Sequence, residues 1–220
     1  MVRVTFAADP GAAQLHADSY VKLLFGGTQR AYTVRAYRPG RLTIDFVVHG
    51  DEGLAGPWAA TATPGDVLEF VGPGGEWSPR ADADLHLFIG DESALPAIAS
   101  GLDRLPSGAK ALVFAEVESV SDEYPLVADD VTWVHREGAP YGERLVESVL
   151  NATLPRGDIE VFLHGNAEMV RPLRRYLLTE RGLPRASLSA SGYWRAGLTD
   201  EAWRASKREF NAAMEQDSGT

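Results

Sequence analysis

The apolar pattern of this 220-residue chain changes its period near Pro79, and that change constrains the fold more than any other feature. Before it, short runs rich in Val, Ile, Phe, Tyr and Thr occupy residues 2–6, 20–25, 32–37, 42–48 and 67–71. Gly26-Gly27, Pro39-Gly40, the 50–56 stretch, Pro64-Gly65 and the 72–75 stretch separate them with turn chemistry. Strands at such spacing, with no long helical pattern between them, predict a small antiparallel barrel or sandwich. After Pro79 the runs alternate: strand 85–89, helix 94–105, strands 111–117 and 131–135, helix 143–150, strand 159–163, helix 168–181, strand 188–194. The unbroken apolar run at 85–89 suits a strand buried on both faces. Alternation of this kind predicts a parallel sheet flanked by helices.

Smaller signals refine the plan. The acidic segment 118–130 is too short and broken for a crossover helix. Pro172 lies near the first turn of its helix or kinks it. Thr199, followed by Asp200 and Glu201, reads as the N-cap of a last helix running toward Met214. We therefore expect two domains: an antiparallel β-barrel over 1–80 and an α/β domain over 81–220 that ends in a helix. A cleft between them, at the carboxyl ends of parallel strands, is where a cofactor would sit.

Composition narrows the chemistry. The chain has no cysteine, which excludes disulfides, thiolate zinc sites, cysteine-ligated iron–sulfur clusters and cysteine nucleophiles. Its five histidines show no ligand spacing such as HExxH, so no metal site is expected. No triad or carboxylate pair stands out, and no catalytic side chain is assigned. No apolar run approaches the ~20 residues of a membrane span, which makes a cytoplasmic location the default. A net charge of -10 argues against nucleic acid as a partner. Yet residues 155–210 carry 10 basic and 7 acidic side chains, against 11 and 22 in residues 1–154. That excess reads equally well as solvated helix faces or as a region that attracts anions.

Several segments suit a phosphate-bearing, flat ligand. Arg30-Ala31-Tyr32-Thr33 opens a strand, which puts Arg30 and Tyr32 on one face. Arg offers forked donors to phosphate, and Tyr offers a ring for stacking; Thr33 needs a bulge or a strand edge to reach the same ligand. Alone the tetrapeptide is weak. The glycine-rich stretch 53–59 enters a short helix whose backbone amides suit a pyrophosphate, although Trp58 in isolation reads as a core plug. Residues 90–98 join the first parallel strand to its helix, the position of a dinucleotide loop, without the three-glycine fingerprint.

Taken in order, residues 30–33, 45–50, 53–59 before Pro64-Gly65-Asp66, 90–98, and Gly192-Tyr193-Trp194-Arg195-Ala196-Gly197 resemble the siderophore-interacting protein family. This is a branch of the ferredoxin–NADP reductase-like flavoproteins, and the resemblance covers nearly the whole chain. It implies an FAD-binding barrel, an NAD(P)H-binding parallel-sheet domain, and reduction of ferric siderophores with electrons from NADH, NADPH or ferredoxin. Carried over by residue, Arg30 would neutralise the flavin pyrophosphate, Tyr32 would pack on the isoalloxazine, and Thr33 would bond near its reactive nitrogen. Val48 and His49 would contact the cofactor. The amides of Ala55, Gly56, Pro57, Trp58 and Ala59 would hold phosphate oxygens. Asp91, Glu92, Ser93 and Ala94 would line the nicotinamide side, and Tyr193 and Trp194 would close over the flavin. Arg195 would close over the flavin with them. Apart from the resemblance, the basic excess of this region, with Arg204 and Lys207 or Arg208 spaced to share a face of the last helix, leads us to expect that Arg195, helped by that face, guides an anionic chelate.

Three departures follow from the same comparison. Gly56 stands where the family usually has Ser or Thr, so Gly56→Ser is expected to tighten FAD binding. The second nucleotide turn reads Gly165-Asn166 instead of Gly-Glu. Residues 2–6 align with the family's second barrel segment, so an opening strand is expected to be absent. A flavoprotein reductase with another acceptor, and a flavin- or chelate-binding protein without efficient turnover, remain the competing readings.

Overall fold

The computed structural model describes residues 1–11, 14–48, 53–128 and 130–217. By its contacts the chain divides into two units, Met1–Ser78 with Pro96–Arg104, and Pro79–Leu95 with Leu105–Thr220. No helix among the described residues is long and apolar enough to cross a membrane.

The first unit is a bent antiparallel sheet of β1 (Val2–Phe6), β2 (Tyr20–Phe25), β3 (Thr28–Arg38), β4 (Arg41–Phe46) and β5 (Phe70–Gly74), in the order β1-β4-β3-β2-β5. The barrel-like bend has a simple source. β3 is 11 residues long and pairs with β2 through Thr28–Thr33, then with β4 through Val34–Arg38. Alternation makes the core: Leu42, Ile44 and Phe46 of β4 are buried beside Val21, Leu23 and Val34. Helix α1 (Ala55–Thr61) adds Ala55 and Ala59 to the same core. Asp45, also buried, accepts a bidentate pair from Arg3 across the β1–β4 ladder, 2.7 and 2.8 Å long.

Three strands of this unit move from the sequence reading, β3 running over 28–38 instead of 32–37. β5 lies at 70–74 instead of 67–71, because Phe70 meets Leu23 in the ladder while Val67 is 84% exposed. Pro73 is tolerated there because β5 is an edge strand. The β4 ladder ends at Phe46, short of the expected 48.

The second unit is a parallel sheet of β6 (Leu85–Gly90), β7 (Ala111–Val117), β8 (Asp130–His135), β9 (Ile159–Asn166) and β10 (Leu188–Trp194), ordered β10-β9-β6-β7-β8. β6 and β9 are buried at every residue, as their apolar runs require. Among its described residues the β7–β8 link holds only a 3₁₀ turn, Val120–Asp122. Helix α2 (Leu95–Leu102) follows β6 in the chain but, from Pro96 on, groups by its contacts with the first unit; α3 (Glu143–Asn151) precedes β9, and α4 (Ala167–Arg175) follows it. α4 carries Pro172 inside it and continues into a π-helical turn, Tyr176–Glu180, so the expected helical stretch 168–181 is present with a change of hydrogen-bond pattern at its end. α5 (Asp200–Asp217) starts where Thr199 Oγ1 accepts the Ala202 amide at 3.2 Å. Strand order reverses between β6 and β9, which makes the carboxyl ends of those strands the switch point of the sheet.

Candidate functional site

In the first unit the β2–β3 register sets Arg30 opposite Leu23 and Tyr32 opposite Val21, so both side chains share the face that carries the core. Each is half-buried. The Arg30 Nη1 donates to the Gln29 carbonyl at 3.0 Å, and the Tyr32 ring leans on Phe46 at 4.6 Å. Thr33 pairs regularly with Tyr20, on the other face. The ladder irregularity that would re-aim it begins one residue later, between Val34 and Ala36.

The α1 turn is narrower than its sequence suggested. Pro57 has no N–H, the Trp58 amide donates to the Leu54 carbonyl at 3.3 Å, and Ala59 lies inside the helix, where its amide serves the i→i−4 ladder. Among the described residues, only the first-turn amides of Ala55 and Gly56 are left without a partner that a phosphate would have to displace. The Trp58 ring packs against Phe6, Phe25 and Phe46 with centroids 5.9–6.0 Å away, so it is a core plug. At Gly56 a Cβ would lie 3.2 Å from the Val47 carbonyl oxygen. Glycine lets α1 rest on the chain leaving β4, and a serine there must push that backbone aside. Val48 is half-buried beside this contact; His49 lies outside the described residues.

In the second unit the residues after β6 turn inward. Asp91 and Ala94 are buried, so neither lines an open surface. Ser93 gives its amide and hydroxyl to Asp91 Oδ1 at 2.9 and 2.5 Å. Glu92 pairs at 2.8 Å with Arg136, whose guanidinium also meets Glu116 at 3.2 Å and Glu118 at 2.9 Å. Arg136 is 4% exposed and sits 4.1 Å above the Tyr141 ring. Tyr141 in turn meets Trp194 edge-on at 4.7 Å. Of the expected nicotinamide-side quartet, Asp91, Glu92 and Ser93 have side-chain oxygens bonded within the protein and Ala94 is core, because carboxylates this buried need cations and donors from the protein.

β10 supplies the other half of the site. The Tyr193 hydroxyl is 3.0 Å from His164 Nδ1, and Ser189 Oγ is 2.9 Å from Nε2. Burial, then the Lys207 charge, pushes His164 down to about 3, so its imidazole is neutral near pH 7. Lys207 points inward, 3.4 Å from Ser191 Oγ, and burial lowers its own affinity for a proton. Arg195 pairs with Glu168 at 2.7 Å and Arg204 with Asp200 at 2.8 Å. Lys207 therefore does not share an outward cationic face with Arg204, and the basic excess of this region is largely matched by local carboxylates.

A model of the siderophore-interacting FAD-binding domain matches residues 26–77, and one of the siderophore-interacting protein matches residues 83–197. The chain belongs to the siderophore-interacting protein family. An uncharacterized protein of Mycobacterium tuberculosis is 42% identical over 193 residues, covering 81% of this chain and 67% of that protein. The ferric vibriobactin reductase ViuB of Vibrio cholerae is 36% identical over 181 residues, covering 79% of this chain and 67% of its own length. Among solved structures, a siderophore utilization protein from T. fusca superposes with a TM-score of 0.79 at 36% identity, over 90% of this chain and 88% of that one.

Within this family frame, sequence reasoning overlooked Arg136, Tyr141, Glu116 and His164. Glu116 lies on β7, His164 on β9, and Arg136 and Tyr141 in the segment after β8, all remote in sequence from the motifs they serve, and only Gly165-Asn166 flagged the region in advance.

Proposed function

We propose that this chain is a flavin-dependent oxidoreductase that reduces ferric siderophores, with NADH or NADPH as electron donor. The observation that carries the reading is the β3 register, which places a guanidinium and an aromatic ring two residues apart on one strand face inside the segment matched by the FAD-binding model. The donor set fits that cofactor. Arg30 supplies forked charged donors and, among the described residues, nothing takes up the first-turn amides of Ala55 and Gly56, so pyrophosphate has partners in the same unit. Tyr32, braced by Phe46, supplies a flat apolar surface. FAD, when bound, converts a two-electron hydride donor into a source of single electrons. The first unit then holds the flavin, and the parallel-sheet unit takes the nicotinamide nucleotide at its switch point. Ferric iron arrives as substrate, held by its own chelator, and no nucleophile or metal ligand is asked of the protein.

The test is anaerobic. The FAD-loaded chain should lose its oxidised-flavin absorbance with NADH or NADPH and regain it when a ferric siderophore is added. Bleaching without recovery would point to another acceptor, and flavin that neither nucleotide bleaches would overturn the donor.

A further inference from the structure

The turn after β6 carries a carboxylate that serves the protein itself. Asp91 is 1% exposed. Its Oδ1 accepts from the Ser93 amide and hydroxyl, and its Oδ2 accepts from the Asn166 amide at 2.7 Å and the Trp194 Nε1 at 2.8 Å. All four partners donate, so the complete set requires the ionised acid. Asn166 closes β9 and Trp194 closes β10, so one carboxylate joins the ends of three adjacent strands at the switch point. The backbone makes room for it: Gly165 has φ +133°, and a Cβ there would lie 2.7 Å from Asp91 Oδ1.

We propose that Asp91 is a positioning residue whose ionised carboxylate locks the Trp194 indole and the Gly165-Asn166 turn to the end of β6, and whose protonation releases Trp194. The inference rests on the geometry of this unit and is independent of the flavin reading. Loss of the proton-sensitive bond leaves the indole with its edge contact to Tyr141, so the side chain gains freedom without the sheet coming apart.

The charged groups on the surrounding elements are Glu92 in the same turn, Arg136 beyond β8, Glu116 on β7, His164 on β9, and the Glu168–Arg195 pair. Burial, then the neighbouring Glu92, lifts Asp91 to about 6 against the pull of its donors. His164 stays neutral across that range, and burial raises Glu116 as well, which makes a variant of Asp91 necessary to separate the two.

The full chain labelled with ¹⁵N at its five tryptophans gives one indole N–H signal for each. The signal absent in Trp194→Phe is that of Trp194. It should move through a single protonation with a midpoint near 6, and the movement should vanish in Asp91→Asn. In Ser93→Ala, which removes one donor to the ionised form, the midpoint should rise; this variant decides the matter if Asp91→Asn does not fold. A Trp194 signal that stays fixed from about pH 5 to 7.5, that titrates unchanged in Asp91→Asn, or whose midpoint does not rise in Ser93→Ala, overturns the proposal.

Discussion

Arg30 and Tyr32 show how much two side chains gain from strand alternation, since a one-residue slip of β3 would send both to the other face. Arg30→Ala is expected to weaken FAD binding about 10- to 150-fold, the equivalent of a charge-assisted phosphate contact of roughly 1.5–3 kcal/mol; flavin absorbance in equilibrium dialysis measures it. Two buried groups set opposite pH dependences of stability. His164 ionises near 6.5 when unfolded and near 3 when folded, so unfolding takes up a proton and His164 lowers stability as pH falls below about 6.5. Asp91 has a folded value of about 6 against 3.8, so its contribution is full below about 3.8 and is lost as pH rises through about 6. Urea denaturation between about pH 4 and 7 should therefore show a shallower acid loss in His164→Gln and a steeper one in Asp91→Asn.

At the scale of elements, α4 depends on its N-cap. Asn166 Oδ1 accepts the Glu168 amide at 2.7 Å and so caps the helix, while its Nδ2 is buried with no hydrogen-bond partner among the described residues. Asn166→Ala is expected to cost about 1 kcal/mol through the lost cap. Asn166→Ser keeps an acceptor and removes the unpaired N–H, so it should be at least as stable as the parent; thermal unfolding of the pair checks both. α1 teaches the converse. Its glycine looked like a missing hydroxyl, but the 3.2 Å approach to the Val47 oxygen gives it a packing reason, and Gly56→Ser is no longer expected to be a simple gain.

For the molecule as a whole, a net charge of -10 makes capture of an anionic chelate a local matter. Arg195 is the candidate, and Glu168 competes with the chelate for it. Arg195→Ala should raise the apparent KM for an anionic ferric chelate more than for a neutral one. Glu168→Gln should lower it, by about 1.4- to 5-fold if the exposed pair is worth ~0.2–1 kcal/mol. Both effects should shrink with added salt, because exposed charges are screened beyond ~8–10 Å. Equal changes for charged and neutral chelates would remove Arg195 from substrate capture.

Local pattern was enough to read the bounds of β1, β2, β7 and β10, the Thr199 cap, the parallel sheet, and the Arg30–Tyr32 pair, because alternation, turn residues and caps act within a few positions of themselves. It also carried the family resemblance, since the motifs are contiguous. What it could not carry was occupancy. Trp58 read in isolation as a core plug, but the residues it plugs against, Phe6, Phe25 and Phe46 from three strands, and the loss of its amide to the Leu54 carbonyl were not legible in the sequence. Asp91 and Glu92 looked like a ligand's lining until Asn166, Trp194 and Arg136, up to 103 positions away, took up their oxygens. A buried carboxylate must find its donors wherever the fold supplies them, and that assignment belongs to the tertiary structure alone.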